Sequence, residues 1–373
     1  MLRRVSILVA VLGVGCAQPA TKAPVPTAAA SLPSADTCPL YTYRIETLAP
    51  GVYAFVEPDP TTDLVSGNTL VVVGDDGVLV VDTGHFPSLA RKMIGDIRKL
   101  TDQPVRYVVN THWHPDHVFG NAAYREAFPN AVFLAHAETR RLVVKNDPQY
   151  IEVQQNMDKT LERARALLAT GKHRNGAPVT ADERVGYEAL MRALEATRGD
   201  AAVTLSPETM TFESEVDVFL GKREVKVLHL GRGNTAGDAV VYVPDARVVA
   251  SGDLVVGPTP YAFGSYLGEW IAVLEKLRGL GADTLLPGHG EVQHGFDYVH
   301  MLEALFASTR AQVESAVNAG LTLEETRAKV NLDDFRLKIA GTDSNRNLTF
   351  REDFVKPGVE RAYQEAKGKL EDE

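Results

Sequence analysis

The chain has 373 residues, 45% of them hydrophobic, and a formal net charge of −10. That length supplies ample material for a large core. The acidic balance argues against a nucleic-acid backbone or an anionic membrane surface as partner, since both attract basic patches.

The first residues read as an export signal. Met1-Leu-Arg-Arg4 is charged, and residues 5–14 form an apolar run too short to remain as a spanning helix. Cys16 resembles the lipidated cysteine of a bacterial lipoprotein, although Gly13 stands where a branched aliphatic residue is usual; the alternative is a secreted form. The signal thus covers residues 1–16, and residues 17–40, rich in Ala, Pro, Ser and Thr, read as a flexible tether. A lipid on Cys16 leaves Cys38 without an intrachain partner, so no disulfide framework braces the fold.

Beyond the tether, strands and helices alternate. Residues 43–48 and 51–57 read as one hairpin, and 69–73 with 78–81 flank a Gly74-Asp-Asp-Gly77 turn as a second. Residues 88–100 carry Leu89, Met93, Ile94, Ile97 and Leu100 at helical spacing. A buried strand over 105–110, a short helix over 124–128 and a strand over 131–135 follow. Residues 149–198 read as a helical insertion, with helices over 153–168 and 181–196; Thr180-Ala-Asp-Glu183 has the form of a capping box opening the second. Its apolar positions (Leu161, Ala164, Leu168; Val185, Leu190, Leu194) suit either a spacer pair or a lid over a binding site. Strands over 225–228, 239–243, 247–250 and 284–286 and a helix over 269–280 complete the pattern. Residues 299–373 read as a helical extension (300–318, 322–330, 358–369) that either buttresses the domain or mediates dimerisation.

The run Thr111-His112-Trp113-His114-Pro115-Asp116-His117 carries the chemistry. Three imidazoles and a carboxylate stand at the mouth of the 105–110 strand, on a loop containing Pro115, where they can turn inward together. Nitrogen and oxygen donors of this kind suit zinc, or a similar borderline first-row metal, better than calcium or magnesium.

This His-x-His-x-Asp-His pattern resembles the signature of the metallo-β-lactamase superfamily. Four further motifs in the family's order extend the resemblance: Asp82 in Val-Val-Asp-Thr-Gly, the segment from Leu228 to Asp238, Ser251-Gly-Asp253, and Pro287-Gly-His289-Gly290. The resemblance implies an α/β fold, a four-layer αβ/βα sandwich over residues 41–298, with the metal site where strand ends from both halves meet. It implies a first metal position on His112, His114 and a third-motif residue. A second position would use Asp116, His117 and His289, with Asp253 reaching both. Asp82 is expected to hold a histidine tautomer or the loop backbone rather than to ligate. One position departs from the pattern: Asn234 stands where the family has a histidine, offering an amide oxygen as a weak metal ligand or an oxyanion contact. His229 is separated from it by a Gly-rich turn and is not expected to substitute. His85, His136 and Tyr261 read as pocket wall or as plain packing.

The implied activity is that of an exported zinc-dependent hydrolase, with one or two ions per chain. A metal-bound hydroxide oriented by Asp116 would open a cyclic amide or ester of β-lactam or lactone type. Two alternatives stand beside it: a thioesterase of glyoxalase II type, and a non-catalytic binding protein on a degenerate metal site. The implied partner is a small-molecule substrate, with no nucleic acid, and with membrane contact only through a lipid on Cys16 of a periplasmic or outer-membrane lipoprotein. No Gly-x-Ser-x-Gly elbow offers a competing nucleophile.

Overall fold

The computed structural model describes residues 42–58, 66–173, 176–197, 200 and 203–371. The expected export signal with Cys16, the 17–40 tether and Cys38 lie outside the described residues, as do the side chains of Val185 and Leu190.

Two sheets form the centre. The first contains β1 (Arg44–Ala49), β2 (Val52–Val56), β3 (Thr69–Val73), β4 (Val78–Val81), β5 (Val105–Val109), β6 (Val132–His136) and β7 (Met210–Phe212), paired in that order. It is antiparallel from β1 to β4 and parallel from β4 to β7. The second contains β8 (Glu215–Leu220), β9 (Arg223–Leu228), β10 (Val240–Val243), β11 (Val248–Ala250), β12 (Thr284–Leu286) and β13 (Gln293–His294), also paired in order, with only β11 and β12 parallel.

Helices α1 (Pro87–Leu100), α2 (Pro115–Val118) and α3 (Asn121–Ala127) belong to the first half. Helix α4 (Ala137–Gln155) leads from β6 into the insertion, which supplies α5 (Met157–Thr170) and α6 (Ala181–Ala196). The second half carries α7 (Leu267–Arg278) and α8 (Asp297–Asn318), then α9 (Leu323–Lys329), α10 (Asp333–Ile339), α11 (Ser344–Thr349), a π-turn over Phe350–Val355, and α12 (Lys356–Ala366).

Side-chain alternation explains the layers. Along β3 and β4, Leu70, Val72, Leu79 and Val81 face the second sheet, where they meet Leu220, Val227, Val241, Val243 and Val248. The intervening Val71, Val78 and Val80 face outward onto Leu89, Met93, Ile94 and Ile97 of α1 and Tyr124 of α3. Strands covered on both faces read as continuous Val/Leu runs, which is why these segments stood out. On the far side Val240, Val249 and Leu285 pack under Trp270, Leu274 and Leu277 of α7 and Leu302 and Phe306 of α8. The order is therefore helix, sheet, sheet, helix. The C-terminal helices join this last layer through Leu332, Ile339, Phe350, Phe354 and Val359.

The insertion departs from its sequence reading. Its first helix begins at Met157 rather than 153, and α4 precedes it directly after β6. Pro148 inside α4 and a weak apolar stripe hid that helix, because an internal proline normally breaks one. Tertiary packing holds it: Leu142, Val143 and Ile151 bury against Trp113, Val118 and Phe119 of the histidine loop. The expected capping box is present, with Thr180 N donating to Glu183 Oε2 at 2.9 Å and Glu183 N donating to Thr180 Oγ1 at 3.2 Å. Leu161 meets Leu194 across the α5–α6 pair. Helices α10 and α11 were also absent from the sequence reading, being short and polar. Among the described residues no helix is long and apolar enough to cross a membrane.

Glu57 and Glu208 lie in the interior, with Glu57 Oε1 and both Glu208 carboxylate oxygens lacking hydrogen-bond partners. Burial pushes their carboxyls up to about 8 and about 7 respectively. Each holds its proton more tightly folded than unfolded, where a glutamate titrates near about 4.3. Stability from these groups is therefore lost as pH rises from that value through 7 to 8. Urea unfolding is expected to show a lower midpoint near pH 8.5 than near pH 5, and Glu57→Gln with Glu208→Gln to narrow the gap. Equal wild-type midpoints at the two pH values would refute this.

Candidate metal centre

Asp82 follows β4 and takes a positive φ of 60°, a conformation that Asp tolerates better than most residues. This turn aims its carboxylate at the loop after β5. Oδ1 accepts from Thr111 N at 2.8 Å, while Oδ2 accepts from Thr111 Oγ1 at 2.8 Å and lies 2.7 Å from His117 Nδ1. The network assigns the tautomers. His117 donates through Nδ1, leaving the Nε2 lone pair free. The Thr111 hydroxyl gives its proton to Asp82, so it accepts from His112 Nδ1, 3.0 Å away, and His112 Nε2 is likewise left as a lone pair.

The donor atoms gather into two adjoining buried clusters: His112, His114 and Asp253, and Asp116, His117 and His289. In the first, His112 Nε2 and His114 Nδ1 are 2.9 Å apart, with Asp253 Oδ2 at 3.5 and 3.9 Å from them. In the second, His117 Nε2 and His289 Nε2 are 3.3 Å apart, and Asp116 Oδ2 is 3.1 Å from His289 Nε2. About 3.3 Å is the nitrogen separation expected on a tetrahedral ion with ligands at about 2.0–2.1 Å. The other Asp253 oxygen, Oδ1, lies 3.3 Å from His117 Nε2 and 3.5 Å from His289 Nε2. Asp253 therefore turns one oxygen to each cluster. It sits in a short 3₁₀ turn after β11, and His289 follows β12, so the second sheet supplies the residues that complete both clusters.

Two glycines make this approach possible. A Cβ on Gly288 would lie 2.0 Å from Asp253 Oδ1, and one on Gly67 would lie 2.3 Å from His117 Cε1. The 66–68 segment crosses the site as a strap, with Gly67 N donating to Asp116 O at 3.0 Å and Asn68 N to Gly288 O at 2.7 Å.

Electrostatics follow from burial. Burial alone would raise the Asp253 carboxyl, but the imidazoles of His289, His117 and His112 outweigh it and hold the group well below the usual range. Asp116 is likewise raised by burial and then lowered more strongly by His117 and His289. For His117 burial favours the neutral ring, yet Asp253, Asp82 and Asp116 drive its pKa well up, whereas burial and His117 push His112 down to about 4. Asp253 Oδ1 and Asn234 Oδ1 are buried acceptors with no hydrogen-bond donor. Such atoms are costly to bury unpaired. A cation held by the clusters would satisfy Asp253 Oδ1 and could take Asn234 Oδ1 as a further ligand, and the imidazole–carboxylate set fits a borderline first-row metal.

Asn234 is fully buried, and its Nδ2 donates to Tyr261 O at 2.9 Å. That bond fixes the amide flip, and the atom left over is an acceptor, which favours a metal contact over an oxyanion contact. His229 stands in neither cluster; its Nδ1 donates to Asp238 O at 2.7 Å, and its ring stacks on His136 at 4.0 Å. His136 is engaged there, with Glu213 O and Glu138 N, rather than at the donor clusters. His85 stacks on Phe86, and Tyr261 packs edge-on against His289 at 5.8 Å. Sequence reasoning missed Thr111, Gly67 and Gly288 as site residues. Thr111 and Gly288 lie inside recognised motifs, whereas Gly67 carries no local signal and only the close approach of His117 explains it.

The profile of the metallo-beta-lactamase superfamily matches residues 62–289. The chain belongs to that superfamily, and its two donor clusters are suited to holding metal ions. It is 26% identical over 273 residues to a linear primary-alkylsulfatase from Pseudomonas sp., covering 70% of this chain and 49% of that protein. The chain thus spans about half the length of that relative. It is 23% identical over 249 residues to the metallo-beta-lactamase type 2 of Bacillus cereus, covering 65% of this chain and 74% of that enzyme. The solved sec-alkylsulfatase Pisa1 from Pseudomonas sp. superposes with a TM-score of 0.56 at 16% identity, over 87% of this chain and 50% of that one.

An amide oxygen binds zinc more weakly than a neutral imidazole. At limiting zinc about one ion per chain is expected, in the Asp116–His117–His289 cluster. Asn234→His is expected to bring the count measured after dialysis towards two. A wild-type protein that retains two ions with equal avidity would show that Asn234 is no weak point.

Proposed function

We propose that the protein is an exported zinc-dependent hydrolase that cleaves small ester-type substrates with a metal-activated water. The observation carrying this reading is Asp253, whose two carboxylate oxygens face the two donor clusters and join them into one centre. His112, His114 and Asp253 would hold one ion, and Asp116, His117, His289 and Asp253 the other. Zinc bound there supplies a Lewis acid for the scissile group and lowers the pKa of water towards about 7.

The remaining work falls to the chain's own side chains. Asp82 keeps His117 donating outward, so Nε2 points into the centre as a lone pair. The Asp116 carboxylate, 3.1 Å from His289 Nε2, would accept a hydrogen bond from the attacking water and orient it. The strap at 66–68 holds the main chain of Asp116 and Gly288, and α4 packs on Trp113 of the histidine loop.

For the substrate, two readings have support. The relation to the linear primary-alkylsulfatase favours a sulfate ester with an alkyl part. The relation to the Bacillus cereus enzyme supports the β-lactam or lactone reading.

His112→Ala with His114→Ala is expected to lower turnover at least about a hundredfold, because even partners one step removed from a metal are worth ten- to a hundredfold. The fold should survive, since the core is apolar and separate. Purified protein would be assayed on alkyl sulfate, β-lactam, lactone and thioester substrates; wild-type turnover in the double variant would defeat the assignment. In cells, Cys16→Ser is expected to move the protein from the membrane fraction to the soluble one. Retention in the membrane would count against lipidation at that residue.

A further inference from the structure

Asn234 owes its orientation to the carbonyl of Tyr261, and Tyr261 belongs to a loop that no sheet or helix of the metal-binding halves contains. That loop, residues 256–266, is tied at its start to the metal-site strand end, with Gly257 N donating to His289 O at 2.9 Å, and beyond that point is held by α8 and the C-terminal helices. The Tyr298 hydroxyl of α8 lies 2.6 Å from Val256 O and 2.9 Å from Pro258 O. Ala262 N, the neighbour of Tyr261, donates to Asp353 O in the π-turn at 2.9 Å. From α12, Arg361 Nε donates to Ser265 O at 2.7 Å and Nη2 to Gly264 O at 2.9 Å. The same guanidinium stands 5.2 Å from the centre of the buried Tyr266 ring, which the Arg232 guanidinium also approaches, at 4.2 Å. Tyr266 N in turn donates to Gly233 O at 2.8 Å, next to Asn234.

Both ends of the Asn234 environment therefore run back to the C-terminal helices. Through Tyr261 they set the amide flip, and through Tyr266 they set the main chain beside it. The segment is also tied to the histidine loop, since Ala239 N donates to Thr111 O at 2.8 Å. Asn234 Oδ1 is left buried with no donor.

We propose that the C-terminal helices are a working part of the metal centre. Arg361 and Tyr298 are positioning residues: they hold the 256–266 loop so that Tyr261 O fixes the Asn234 amide, leaving Oδ1 to the cation of the His112 cluster. This rests on the reading of the site as a metal-dependent hydrolase centre. It gives the extension a task in metal affinity that a simple buttress would not have. Mutation of partners that orient a ligand typically weakens metal binding by about ten- to a hundredfold.

The test uses the full chain with cobalt(II) and zinc(II). Affinities of both equivalents are measured by chelator competition and by the cobalt absorption spectrum, alongside kcat, KM and the thermal midpoint. Arg361→Ala and Tyr298→Phe are each expected to weaken the second, weaker equivalent by about tenfold and to leave the first unchanged. Arg361→Lys should recover part of the loss, since it keeps a cationic donor. On an Asn234→Ala background Arg361→Ala should add little, because both act through one amide. If Arg361→Ala fails to fold, Tyr298→Phe decides.

Wild-type affinity for both equivalents in the folded variants overturns the proposal. So does an equal weakening of both, or a full additional loss on the Asn234→Ala background. A wild-type protein that takes up only one equivalent also overturns it. A wild-type protein that takes up no metal at all defeats the reading of the centre itself.

Discussion

Four imidazoles and three carboxylates share one buried space, and such a set is stable only when every proton has an assigned place. The Asp82 carboxylate makes the first assignments. By accepting from Thr111 N, Thr111 Oγ1 and His117 Nδ1 it fixes the course of the loop after β5 and the tautomers of His112 and His117 together. The positive φ at Asp82 is the local cost of aiming that carboxylate back across the sheet edge. Parallel pairing of β4 with β5 places the two loops side by side at the same edge, so the strand order of the first sheet is what allows the contact.

The second sheet contributes through close approach. Asp253 and His289 leave adjacent parallel strands, β11 and β12, and reach the histidine loop across the gap between the sheets. Gly288 and Gly67 have no side chain, and each stands where a methyl group would collide with a donor residue. The apolar inter-sheet core sets how near the two edges come. Leu70, Val72, Leu79 and Val81 against Val227, Val241 and Val248 act as the spacer on which the donor geometry rests. Packing of this density changes little under thermal motion, which suits a site whose donor atoms must keep separations near 3 Å.

The helices outside the sandwich have unequal roles. Pairing of α5 with α6 buries mainly their own side chains, whereas α4 lies directly on Trp113 and so on the loop bearing His112 and His114. The C-terminal helices cover the second sheet's outer layer and hold the loop bearing Tyr261. Asn234 lies where these influences meet. Its weak donor atom is set in place by groups remote in sequence, among them Tyr261 O and, through Tyr266, Gly233 O.

Much of this was legible in the order of residues. The His112–His117 run states its own chemistry, because four donors in so short a stretch have few other uses, and the Val/Leu runs of β3, β4 and β5 mark strands buried on both faces. The separate motifs at Asp82, Asp253 and His289 carried the resemblance to the family, and the structure brings all of them to one place. Tertiary structure decided what depends on distant partners. It alone turned Asp253 to both clusters and made Gly67 indispensable beside His117. It alone kept α4 helical through Pro148 by burying Leu142, Val143 and Ile151, a stabilisation invisible in local propensity. It also fixed which atom of Asn234 is free. Composition can name an amide, but only the carbonyl of Tyr261, brought in by chain folded 27 residues further on, determines whether nitrogen or oxygen remains unpaired.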